Sequence, residues 1–145
     1  VSSDGPLTCE DEFDGSVFGS GTINLASVSC KDADFSISGS GGILAGLEAE
    51  DFSGSITGSG QMTVVFAGHS SDVEISCSGS GDIDLSGIDT ESLEAKIAGS
   101  GGISLEGKAK TAHYQISGSG NIDARKLSTE KVTSKTTGSG EIISE

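Results

Sequence analysis

Residues 79–85 read GSGDIDL, and the Gly-Ser-Gly that opens this stretch recurs along the whole chain. It begins at Gly19, Gly39, Gly58, Gly79, Gly99, Gly118 and Gly138, at intervals of 20, 19, 21, 20, 19 and 20 residues. A near-constant period of this length marks a solenoid, a propeller or another array. Gly and Ser also build flexible linkers, but a linker has no register between its glycines, and here there is one. Six residues before the triplets stand Phe13, Ala33, Phe52, Val73, Leu93, Ala112 and Val132. Two residues after them stand Ile23, Ile43, Met62, Ile83, Ile103, Ile122 and Ile142. Together with the slots four and two before the triplet and four after it, these positions are apolar 30 times in 35. The five slots that alternate with them are apolar 4 times in 35. Such a period of two means strands with one face in and one face out.

Each repeat therefore supplies a strand before the triplet, a strand after it, and a variable third segment of small and charged residues that absorbs the one-residue jitter. Equivalent strands of successive coils, stacked at about 4.8 Å, pair in parallel and bury one narrow column of side chains. The expected fold is an all-β parallel β-helix of seven coils with about 20 residues each. It forms a single domain over 1–145, with 1–12 as a partial coil or cap. Glycine at the corner accepts tight curvature and unusual backbone angles. If the alternation runs through the triplet, both glycines face inward. Ser20, Ser40, Ser59, Ser80, Ser100, Ser119 and Ser139 then form one exposed ladder. A corner that breaks parity would turn the hydroxyls inward onto the backbone instead.

The chain is 145 residues long, 33% hydrophobic and only 4% aromatic, which suits a narrow core better than a broad one. Its net charge of -14 argues against nucleic acid or an anionic bilayer as partner, and no run of about 18 apolar residues is present to span a membrane. The charge is uneven. Residues 1–95 hold 17 acidic residues and only Lys31 as a base, for -16; residues 96–145 hold 5 acidic and 7 basic residues, for +2. The outward slots seven and five before the triplet place Glu12, Asp14, Asp32, Asp34, Asp51, Asp72, Glu74 and Glu94 on one face, where stacked carboxylates repel. Three readings stand side by side. The face is simply solvated; or Glu12, Asp14, Asp32, Asp34, Asp51, Asp72 and Glu74 bind a divalent cation, calcium by its preference for oxygen ligands; or a basic partner docks there, including the basic end of another copy in head-to-tail association.

Cys9 lies ten residues before Gly19 and Cys30 nine before Gly39, so the two occupy nearly the same place on consecutive coils. Coil spacing suits a disulfide, which would place the chain in an oxidising compartment; two reduced thiols are the alternative. Cys77 falls in a core slot as a small hydrophobe. His69 and His113 are far apart in the repeat and are expected on the surface. Nucleophile elbows and Walker A loops are absent, and the cysteines lack zinc spacing. A β-helix enzyme acting on polysaccharides would need clustered acids with a base and aromatic platforms. This chain has no Trp, and its one Tyr114 falls in a core slot. Neither catalysis nor a cofactor beyond weakly held calcium is expected.

The in-register Gly-Ser-Gly followed by x-Ile-x-Leu or x-Ile-x-Ala, as in GSGTINL (19–25), GSGDIDL (79–85) and GSGNIDA (118–124), resembles the auto-transporter adhesin head GIN-domain family over about residues 13 to 145. The resemblance implies a right-handed single-stranded β-helix, an extracellular or cell-envelope location, and an adhesive role without recognised catalytic residues. The expected function is a non-catalytic surface module for adhesion, display or assembly, with a protein or glycan receptor as partner. The rivals are a scaffold that polymerises end to end and a polysaccharide-active β-helix enzyme.

Overall fold

One coil of this length buries too little apolar surface to offset the ordering of its backbone. Its N–H and C=O groups must also find partners in neighbouring coils. The computed structural model describes residues 2–144, with side chains from residue 8 onward, and shows how they do. The strands are β1 (Ser2–Thr8), β2 (Glu12–Gly19), β3 (Thr22–Ser29), β4 (Asp32–Gly39), β5 (Gly42–Glu48) and β6 (Asp51–Gly58). They continue as β7 (Gln61–Phe66), β8 (Ser70–Gly79), β9 (Asp82–Gly99), β10 (Gly102–Gly118), β11 (Asn121–Thr137) and β12 (Glu141–Ser144). Every pairing is parallel. The pre-triplet sheet runs β2, β4, β6, β8 and then the later halves of β9, β10 and β11. The post-triplet sheet runs β1, β3, β5, β7, the earlier halves of β9, β10 and β11, and β12. The molecule is a β-solenoid of about seven turns with about 20 residues per turn. No helix long and apolar enough to cross a membrane occurs among the described residues.

The repeat register becomes contact. Ile23, Ile43, Met62, Ile83, Ile103, Ile122 and Ile142 lie opposite one another from coil to coil. In the first half the core also carries an edge-to-face chain of rings. Phe13 meets Phe35 at 5.8 Å, Phe35 meets Phe52 at 5.7 Å, and Phe52 meets Phe66 at 5.3 Å between centroids. Gly15 and Gly54, in the slot that Phe35 shares, leave the room these rings need: a Cβ on either would come to 3.0 Å from a phenylalanine ring carbon. Large and small residues thus alternate up the column, as close packing demands. Tyr114 fills the same column higher up. Its ring is fully buried and its hydroxyl finds no hydrogen-bond partner.

The third segment is more than a spacer of small and charged residues. It forms an inward stripe of its own, with Val28, Leu47, Phe66, Ile88 and Leu127 all buried. Periodicity hides this stripe because the register slips there. Leu25 pairs Ala45, yet Val28 pairs Leu47, so three residues face two, and a similar slip separates Leu105 from Gly107. Beside the stripe, Ser70 and Thr90 are buried and donate their hydroxyls to the Ala49 and Ser71 carbonyls at 2.7 and 3.0 Å.

At the Gly-Ser-Gly corner the two glycines serve different ends. The first has positive φ in every coil, 126° at Gly118 for example. A Cβ on Gly118 would also stand 2.5 Å from the Gly99 carbonyl oxygen of the coil before. The second is buried at Gly41, Gly60, Gly81, Gly101 and Gly120; a Cβ on Gly60 would meet Ile37 Cγ2 at 2.5 Å and the Gly41 carbonyl at 2.6 Å. Between them the serine N–H continues the ladder, as Ser119 does to Gly99 O at 3.0 Å. In the last coil Val132 is 40% exposed, and Ser134 and Thr136 are exposed too, since no described strand covers them.

Candidate functional site

Outward slots of a parallel, in-register sheet form straight columns one strand apart. On the pre-triplet sheet one column reads Glu12, Asp32, Asp51, Asp72, Ser92, Thr111 and Lys131. The next reads Asp14, Asp34, Ser53, Glu74, Glu94, His113 and Thr133. Lys31 is the sole Lys or Arg on the chain before Lys96, so the first four coils present carboxylates with little relief. Partial burial, then Asp32 and Asp72 on the flanking coils, lift the Asp51 carboxyl above its ordinary range. Burial followed by Asp14 does the same to Asp34. A shallow groove of about 240 Å³ runs between the columns past Asp32, Asp51 and Asp72.

These acids do not converge. Among the described residues no three His, Cys, Asp or Glu side chains are grouped to hold a metal ion. The physical reason is the register: stacking sets Glu12, Asp14, Asp32, Asp34, Asp51, Asp72 and Glu74 in parallel lines, whereas calcium needs six to eight oxygens around a point. In the later coils the acids have partners. Lys96 meets Glu94 at 2.7 Å, Lys110 meets Glu91 at 2.8 Å, and Arg125 meets Asp123 at 2.6 Å. The Lys110 ammonium holds Glu91 below the usual carboxylate range, and the Arg125 guanidinium brings Asp123 down to about 2. His69 is exposed and lies 3.2 Å from Asp89.

Ser20, Ser40, Ser59, Ser80, Ser100, Ser119 and Ser139 are all exposed. Two further columns join them on the same face, unremarked by the triplet alone. Ser16, Ser36, Ser55 and Ser76 stack in register, as do Ser38, Thr57 and Ser78 above Phe18. The signal was present in the outward slots three and one before each triplet. Phe18, 80% exposed, is the large apolar residue of this hydroxyl-rich face.

The cysteines stand as free thiols, and the expected Cys9–Cys30 bridge is not formed. Cys9 Sγ donates to the Glu12 carbonyl at 2.8 Å instead, and Cys77 is buried with its thiol on the Gly81 carbonyl at 3.1 Å.

The model of the family described as "Putative auto-transporter adhesin, head GIN domain" matches residues 55–144 of this β-solenoid. No curated protein and no solved structure matches the chain.

Proposed function

The chain belongs to the auto-transporter adhesin head GIN-domain family, and from that premise we propose a non-catalytic module of the cell surface or envelope whose pre-triplet sheet adheres to a basic protein surface. One observation carries this reading: the exposed carboxylate columns of the first four coils and the exposed or half-buried hydroxyl columns beside them form one continuous outward face, built on in-register strands. Carboxylates that already crowd one another release repulsion when a cationic surface approaches. Ordered hydroxyls supply hydrogen bonds at little conformational cost, since their strands are fixed before contact. The grooves on this surface are shallow. The other sheet has a separate open groove of about 530 Å³ past Asp84, Ser104 and Arg125, where Arg125 is already paired with Asp123.

Beads displaying the protein should adhere to surfaces coated with basic proteins, with adhesion falling as salt rises. The triple variant Asp32→Asn, Asp34→Asn, Asp51→Asn should lose most of that adhesion while keeping its fold. Equal adhesion by wild type and variant would move the contact elsewhere and overturn the reading.

A further inference from the structure

We propose that Cys9 and Cys30 are a site of oxidative modification, closing an intramolecular disulfide that clips the N-terminal partial coil to the first complete coil. The register brings them together. Thr8 pairs Ser29, and Cys9 N–H donates to the Ser29 carbonyl at 2.8 Å, so Cys9 and Cys30 are successive members of one column. The column continues through Ala49, since Cys30 N–H donates to the Glu48 carbonyl at 3.0 Å, and then through Ser70, Thr90 and Ala109. Neighbouring strands in such a ladder are about 4.8 Å apart, inside the Cα separation that a disulfide spans.

Both thiols also converge on one peptide of β2. Cys9 Sγ donates to the Glu12 carbonyl at 2.8 Å, and the backbone of Phe13 lies against the Cys30 thiol. The corner after Cys9 holds two residues, Glu10 and Asp11, before Glu12. The matching corner after Cys30 holds only Lys31 before Asp32, with which Glu12 pairs. The longer corner gives Cys9 the slack to exchange its carbonyl for a sulfur partner. Cys9 and Cys30 are only partly buried, so an oxidant reaches them. Cys77 is 1% exposed in a different column and does not compete.

The chemistry balances with a small disulfide such as glutathione disulfide as oxidant. One protein thiolate attacks it and releases a glutathione thiolate. The second protein thiolate then displaces the other glutathione, forming the Cys9–Cys30 bond. Two protein thiols lose two electrons and two protons, and glutathione disulfide becomes two glutathione thiols.

The test uses the native full chain, incubated with glutathione disulfide, alkylated, digested and read by mass spectrometry. The expected result is a peptide pair joined through Cys9 and Cys30 and lighter by two hydrogens, with Cys77 alkylated only after denaturation. The oxidised protein should melt several degrees above its dithiothreitol-treated form, and the Cys9→Ser, Cys30→Ser protein should show no such shift. Free thiols at both positions, or glutathione adducts that persist there, would overturn the assignment. A bridged form that melts no higher than the reduced one would overturn the clip. Neither result bears on adhesion, which rests on a different face.

Discussion

The first four coils and the last three share one backbone and one register, yet their charges interact with opposite sign. In the first four, Glu12, Asp32, Asp51 and Asp72 stack like on like, and folding lifts the Asp34 and Asp51 carboxyls. In the later coils Glu94, Glu91 and Asp123 each meet a base, and folding lowers Glu91 and Asp123. The interiors differ as well: rings in edge contact below, aliphatic columns and one stranded hydroxyl above. A solenoid repeats its geometry but not its energetics. One side chain per coil decides whether a column attracts or repels, because each coil interacts chiefly with its immediate neighbours.

The largest expected effect comes from breaking the ring chain. Phe35→Ala should cost about 3–5 kcal/mol, and hydrogen exchange should quicken most in β2, β4 and β6. Uniform quickening through β10 and β11 would show that the halves unfold as one unit.

Tyr114 sharpens the comparison from the other side. Burial pushes its phenol up to about 12 from an ordinary 10. The unfolded chain therefore gives up the proton first as pH rises, and stability is lost between those two values, by about 2–3 kcal/mol in all. Tyr114→Phe should abolish that alkaline loss. It should also raise stability near neutral pH by about 1 kcal/mol, since no buried hydroxyl is then left unpaired. Chemical denaturation at pH 7 and pH 11 measures both effects.

Charge neutralisation should act oppositely in the two regions. The Asp51 carboxyl has a raised folded pKa, so its stability contribution is complete below about 3.8 and is lost as pH climbs through the folded value. Asp51→Asn should consequently raise Tm at pH 7 by a few tenths of a kcal/mol in stability, with no gain in acid or at high salt. Asp123 is the reverse case. Its contribution is present above about 3.8 and disappears as pH falls through about 2, so Asp123→Asn should lower Tm slightly at pH 7 and shift it much less at pH 2. If both substitutions shift Tm in the same direction at pH 7, the contrast between the regions is broken. Calcium addition is expected to shift Tm of neither protein, because the acids lie in lines rather than around a point.

The coil length, the parallel stacking, the inward Ile column and the outward serines were legible in the sequence. A strand's side chains alternate strictly, and a fixed period forces equivalent residues into one column. The carboxylate columns were legible for the same reason. Three features were decided only in three dimensions. Val28, Leu47, Phe66 and Ile88 line the core although their distance past the triplet varies by one residue from coil to coil, since backbone bulges shift the register there. Gly15 holds a core slot because Phe35 on the next coil claims that volume, a relation between residues 20 apart, and Gly54 holds one because Phe52 of its own strand and Met62 close over it. Finally, which acids are relieved depends on side-chain reach: Lys110 touches Glu91 and Arg125 touches Asp123 only because folding brings those particular heads within hydrogen-bond distance. Periodicity settles which way a side chain points; packing and reach settle what it meets.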